Sequence, residues 1–209
     1  MIDVALRLVV ALRCEAQPLI ERLGLTPYDT GGRLRLYTGQ VSTTRLELAI
    51  SGVGKLAAAT AAAYLQGLGG KHRARWLNIG VAGHGKREIG EVLMAGRVHE
   101  ASSGRHFAVQ LPFDSTLPMV TVRTVDRVEP HYPEADEALE MEAFGFFSAA
   151  RRFANAKAVH ALKIVADNSK SAPLGHDEAR VKSLMEGALD TIVATIEKLT
   201  TLPDVRNES

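Results

Sequence analysis

The sequence predicts an α/β fold in which a mainly parallel or mixed sheet is covered by helices on both faces. Three observations predict it: apolar runs of strand length, stretches with helical apolar spacing between them, and glycine-rich segments where the runs stop. In such sheets ligands sit beyond the carboxyl ends of the strands, so chemistry is sought where strands end.

Ala5 to Leu12 (ALRLVVAL) reads as a strand, and Glu15 to Leu23 has the charge and apolar spacing of a helix opening. Thr26 to Thr43 carries Gly31-Gly32 between two extended stretches, a hairpin signal. Arg45 to Ile50 (RLELAI) is a further strand ending at Ser51-Gly52-Val53-Gly54, and the Ala-rich stretch Lys55 to Leu65 is a strong helix former. Trp76 to Ile79 reads as a buried strand that stops at a glycine-rich turn, Gly80 to Gly85, where backbone can approach a ligand. Val92 to Val98, His106 to Gln110 and Met119 to Val125 follow as short strands.

From Leu139 the pattern predicts a helix with Glu142 in its first turn, because Ala143, Phe146, Phe147, Ala150 and Ala154 fall on one face. Val159 to Ala166 reads as a core strand ending at Asp167. After a Ser-, Pro- and Gly-containing loop, Asn168 to Gly175, a last helix buries Val181, Met185, Ala188, Ile192, Ile196 and Leu199. One domain over residues 1–200 is expected, with a frayed tail at 201–209 after Pro203.

Apolar residues make up 46% and charged residues 23% of the chain, ordinary globular values that argue against disorder or a membrane span. The net charge is +1, with Lys and Arg spread along the chain, so a nucleic-acid partner is not indicated. Cys14 is the single cysteine, and the apolar start from Val4 is interrupted by Arg7, which together suggest a cytoplasmic protein without a membrane partner. Seven scattered histidines (72, 84, 99, 106, 131, 160, 176) show no metal-ligand spacing, so neither a metal nor a cofactor is expected.

Three carboxylates stand where strands or helices begin or end: Glu15, Glu142 and Asp167. Each has an ordinary structural use as a cap, dipole partner or turn former. Gly52-Val53-Gly54-Lys55-Leu56-Ala57 fits a loose dinucleotide pattern, yet no Asp or Glu lies between Ser51 and Arg87 to hold a ribose hydroxyl. A phosphate-cradling loop fails as well, since Leu56 stands where Ser or Thr is needed and Ala49 where the first glycine is needed. A tight turn with close helix packing is the better reading. No G-x-S-x-G elbow is present.

In order along the chain, Ala11-Leu12-Arg13-Cys14-Glu15-Ala16, Ser51-Gly52-Val53-Gly54-Lys55-Leu56-Ala57-Ala58, Asn78-Ile79-Gly80-Val81-Ala82-Gly83, Glu140-Met141-Glu142-Ala143 and Ile164-Val165-Ala166-Asp167 resemble the nucleoside phosphorylase and nucleosidase superfamily. The resemblance is strongest to its methylthioadenosine/adenosylhomocysteine nucleosidase branch and spans about residues 5 to 200. It implies a phosphorylase-like three-layer sandwich around a central mixed, mainly parallel sheet, and cleavage of the bond between a purine and its ribose.

By the same resemblance Asp167 is the general acid at the purine N7, and Glu15 orients and deprotonates the attacking water. Glu142 accepts ribose hydroxyls with Met141 packed on the sugar, and Glu140, Gly54, Val81, Ala82 and Gly83 complete the substrate site. Carboxylates in different surroundings would thus do opposite jobs. Relatives commonly form dimers or larger rings, which implies a homo-oligomer; Phe107, Phe113 and Tyr132 lie in the middle region where a contact could form.

Three positions depart from the family pattern. Val81 and Ala166 stand where serines are usual, and Val125-Asp126-Arg127-Val128 lacks the aromatic of the family's Gly-Asp-x-Phe. The base and the 5′ group are therefore open. Phosphorolysis, with Arg13 as a phosphate ligand, and a non-catalytic nucleoside-binding protein are the alternatives to hydrolysis.

Overall fold

A computed structural model describes residues 5–69, 74–129, 131–171, 175 and 177–202. Val4, His72, His176 and the tail from Pro203, on which expectations fell, lie outside the described residues. The first run forms β1 (Ala5–Val10), buried at every position, and α1 (Arg13–Arg22) follows. Then come β2 (Thr26–Pro27), β3 (Arg35–Val41), β4 (Thr44–Ile50) and α2 (Lys55–Gly69). The middle of the chain supplies β5 (Ala74–His84), β6 (Val92–Glu100), β7 (His106–Ala108), β8 (Met119–Thr124) and β9 (Glu137–Glu140). The last third adds α3 (Ala143–Ala150), a 3-10 turn, β10 (Val159–Asn168) and α4 (Glu178–Thr201).

β5 is the hub of the sheet. β1 and β10 flank it in parallel, β4 runs parallel to β1, and β3 and β2 extend that edge antiparallel. On the other side β10 pairs antiparallel with β6, which runs parallel to β8 and through it to β9. β9 returns to the end of β5 through Gly83–Leu139 and His84–Ala138, so β5, β10, β6, β8 and β9 close a ring.

Strand alternation sends side chains to two cores. Leu6, Leu8 and Val10 of β1 meet Leu77, Leu162 and the buried stripes of α1 and α4 on one face. Val9, Trp76, Ala161 and Val165 meet the alanines of α2 and the phenylalanines of α3 on the other. Helices on both faces of a mixed sheet give the expected three layers. Arg7 enters this interior only because Glu47 Oε2 accepts from its Nε at 2.9 Å, Gln66 Oε1 accepts at 2.5 Å, and the Trp76 ring lies 5.0 Å away.

Several expectations are corrected. Gly80 to His84 is no turn but the continuation of β5. A Cβ at Gly80 would lie 2.9 Å from Glu15 Oε1, and one at Gly83 would lie 2.5 Å from Asp167 Oδ1, so these glycines admit neighbouring carboxylates to a strand. Leu139 belongs to β9, where it pairs with Gly83 and Arg123, and the helix begins only at Ala143 and ends before Ala154. Glu142 is the residue just outside α3, not one in its first turn. The Gly31-Gly32 hairpin has only the two-residue β2 as its first arm, while the tighter β3–β4 hairpin turns at Ser42, with φ of 54°.

Candidate active site

The carboxyl ends of β1, β5 and β10 open on one cavity of about 180 Å3, closed on its far side by residues around the end of β9. Glu15, Glu129, Glu140, Glu142 and Asp167 line it, and no Lys or Arg side chain does so among the described residues. Val81, Ala82, Gly83 and Met141 also line it, as do Val53, Val125 and Val128.

Glu15 sits in the first turn of α1 and is 3% exposed. Its Oε2 accepts from the Leu12 N–H at 2.9 Å and its Oε1 from the Val81 N–H at 2.9 Å. Burial pushes its pKa up; the two backbone donors and the charge of Lys163 pull the other way. This leaves a carboxyl with raised proton affinity, fixed in orientation between β1 and β5.

Glu140 and Glu142 flank Met141 at the start of α3. Glu140 Oε2 accepts from the N–H groups of Glu142 at 3.0 Å and Ala143 at 2.8 Å, and from Lys163 Nζ at 2.8 Å; its Oε1 accepts from Thr124 Oγ1 at 2.5 Å. A carboxylate at a helix N-terminus compensates orphan donors and the dipole. Glu140 therefore faces the cavity with both oxygens already engaged by the protein. Lys163, buried on β10, also donates to Asn78 Oδ1 at 2.8 Å, and Asn78 Nδ2 donates to the Val9 carbonyl at 3.0 Å.

Glu142 Oε1 accepts from the Gly54 N–H at 2.7 Å. Gly54 thus serves the site through Glu142 and is not among the residues that line the cavity. Its φ of 104° is what turns that N–H toward the carboxylate. Burial first, then the neighbouring Glu140 charge, push the Glu142 pKa up to about 7.

Asp167 is 9% exposed and lies at a break in the pairing of β10 with β5, where Val165 faces Ala82 and Asp167 faces Gly83. The extra residue, Ala166, is a bulge that re-aims the strand end toward the cavity. Tyr132 donates its phenolic O–H to Asp167 Oδ1 at 2.6 Å.

The structure gathers Glu15, Glu142 and Asp167 in one place. Arg13 is elsewhere, on a separate cleft with Cys14, Gln17 and Lys182. Phe107 and Phe113 are half-buried, Phe107 packing against Phe144 at 5.2 Å and Phe113 lying under Lys198. Sequence reasoning missed Lys163, whose signal was a lone cation inside an otherwise buried strand. It also passed over the cavity role of Tyr132, which no motif marked. Among the described residues no group of three or more His, Cys, Asp and Glu is placed to hold a metal ion.

No protein-family model and no curated protein matches the sequence. Solved structures do match. The 5′-methylthioadenosine nucleosidase of Arabidopsis thaliana in apo form has a TM-score of 0.80 at 17% identity, covering 97% of this chain and 98% of that one. The 5′-methylthioadenosine/S-adenosylhomocysteine nucleosidase of Helicobacter pylori with butyl-thio-DADMe-Immucillin-A gives 0.77 at 16% identity, over 95% and 100%. The futalosine hydrolase of Helicobacter pylori gives 0.74 at 16% identity, over 95% and 99%. At such identities the likeness establishes the fold alone, the one these solved nucleosidases and the futalosine hydrolase share.

Proposed function

We propose that this chain is a nucleosidase that hydrolyses the N-glycosidic bond of a purine nucleoside, either one like methylthioadenosine or adenosylhomocysteine or a modified nucleoside. The observation that carries the reading is the meeting of Glu15, Glu142 and Asp167 on one cavity lined by carboxylates and by no described cation. C–N cleavage builds positive charge on the ribosyl centre, which nearby carboxylates stabilise. The departing base needs a proton, the sugar a hold, and the far face of the sugar a nucleophile.

Asp167, at the end of β10, gives the proton to the base. Glu142, tied to Gly54, accepts the ribose hydroxyls, and Met141 packs on the sugar. Glu15 takes the proton of the attacking water, and burial raises its proton affinity above that of a solvated carboxylate, as a base requires. Glu140 acts from behind, as the anchor that binds Lys163 and the start of α3. Val81, Ala82 and Gly83 form the wall beside the substrate.

Water is favoured over phosphate as the nucleophile. A phosphate dianion in this cavity would face five carboxylates without a compensating Lys or Arg among the lining residues. With Arg13 on another cleft, the phosphorolytic alternative loses its ligand.

The nucleosidases and the futalosine hydrolase that share the fold support the same assignment. Val53 and Val128, which line the cavity, are 52% and 71% exposed, and favour a homo-oligomer in which a second copy covers it. The decisive measurement is base release from a panel of purine nucleosides with and without phosphate. Release without phosphate that falls by about 100-fold or more in Asp167→Asn is expected, the scale of a lost general acid. Release only with phosphate would make the protein a phosphorylase, and no release from any member would sink the enzyme reading.

A further inference from the structure

We propose that Tyr132 is a positioning residue for Asp167: its phenol holds the proton-donating carboxyl in place. This inference rests on the nucleosidase reading above. Four observations carry it. Tyr132 donates to Asp167 Oδ1 at 2.6 Å, a short contact for a phenol and a carboxyl oxygen. The residue before Asp167 is Ala166, which has no hydroxyl to offer, and the phenol of Tyr132 reaches this carboxyl from 35 residues away. The phenol reaches it because Gly83 has no side chain: a Cβ there would lie 2.6 Å from Tyr132 Cε1 and 2.8 Å from its oxygen. Finally, Tyr132 lines the carboxylate cavity itself and also the neighbouring groove with Lys86, His131 and Asn168, so its ring is the partition between them.

The physical role follows from the geometry. Proton transfer from a carboxyl to a base nitrogen demands one orientation about the Cβ–Cγ bond. A phenol bonded to Oδ1 selects that orientation. Burial and the Asp167 charge both push the tyrosine pKa up, so the phenol remains the donor across the working range. No proton passes through Tyr132; the proton that leaves with the base comes from Asp167.

The test compares wild type, Tyr132→Phe, Asp167→Asn and the double variant in base release from the nucleoside that wild type cleaves. Tyr132→Phe keeps the ring and the packing against Gly83. It should lower kcat by roughly ten- to a hundredfold with KM within about twofold, because the phenol's hydrogen bond strengthens as Asp167 gives up its proton and becomes charged. In the Asp167→Asn background the same change should cost nothing further, because its effect runs through that carboxyl. A merely structural tyrosine would lower kcat by the same factor in both backgrounds, and that additivity overturns the proposal, as does a Tyr132→Phe enzyme with wild-type kcat. An inactive wild type would instead overturn the nucleosidase reading and this inference with it; the two failures are thereby distinguished.

Discussion

Glu142 is the residue at which the charge balance of the site is most finely set. Burial and Glu140 lift its pKa to about 7, while the Lys163 charge and the Gly54 N–H hold it from rising further. On the proposed reading Glu142 accepts ribose hydroxyls and has to be ionised to do so, so kcat/KM should climb as pH is raised through about 7. Glu142→Gln should lose roughly ten- to a hundredfold in kcat/KM, the worth of hydrogen bonds to a charged acceptor, and the limb near 7 should flatten because nothing titrates there. A limb that persists unchanged in the variant would assign the titration to another group. Glu15, Glu142 and Asp167 were legible in the sequence, since each sits beside a motif with a fixed place relative to a strand end. Tyr132 and Lys163 were not: Tyr132 reaches Asp167 from 35 residues away, and Lys163 finds its acid on another element. Glu140 could be named but not understood, because only the fold reveals that Thr124, Lys163 and two backbone N–H groups engage its oxygens.

The elements place these residues through two close approaches. One is the crossing of α2 and α3 at their first turns, where a Cβ on Gly145 would lie 2.0 Å from the Lys55 carbonyl oxygen. That crossing brings Gly54, one residue before α2, within reach of Glu142, one residue before α3. Gly145→Ala should therefore force the two helix starts apart, costing about 1–3 kcal/mol in denaturant unfolding as overpacking does. It should also raise KM, since the Gly54–Glu142 hydrogen bond spans the same junction. Unaltered stability together with unaltered KM would show that the crossing is not rigid. The other close approach is within β5, and it explains why sequence reading failed there. Glycine runs usually punctuate strands because they lack side-chain packing; here the missing Cβ atoms are occupied by the carboxyls of Glu15 and Asp167, and β5 runs on. β9 was hidden for a related reason, as a four-residue strand whose Leu139 also suits the helical spacing of the α3 phenylalanines. The long periodic elements, α4 and the apolar cores of β1 and β10, carried their pattern through without ambiguity.

For the whole molecule, the site and the core pull stability in opposite directions with pH. His160 on β10 is buried, its Nε2 3.1 Å from the Lys157 carbonyl oxygen and its Nδ1 without a hydrogen-bond partner among the described residues; burial pushes its pKa down to about 4 from the ordinary 6.5. The unfolded chain then binds the proton more readily, so this stabilising contribution is present above about 6.5 and is lost as pH falls toward 4. Glu142 has the reverse sign. Its raised pKa means that the folded chain binds the proton more readily, so its contribution is present below the ordinary 4.5 and is lost as pH rises toward 7. Glu15, raised by burial as well, adds to that trend. Across pH 4.5 to 7 the histidine opposes the carboxyls. Removing one side exposes the other. His160→Gln should lose stability relative to wild type as pH is raised from 4.5 to 7, by roughly 2–3 kcal/mol, the integral of a shift of about 2.5 pKa units over that window. Glu142→Gln should gain relative to wild type over the same interval by a similar amount. Denaturant midpoints of the three proteins at the two pH values decide it, because the pH-independent cost of each substitution cancels in the difference. Parallel curves would mean that neither group keeps its folded-state environment in solution, whereas divergence in the two stated directions would show that the cavity burdens the fold with buried carboxylates at neutral pH, a cost that a bound nucleoside pairing with Glu142 would relieve.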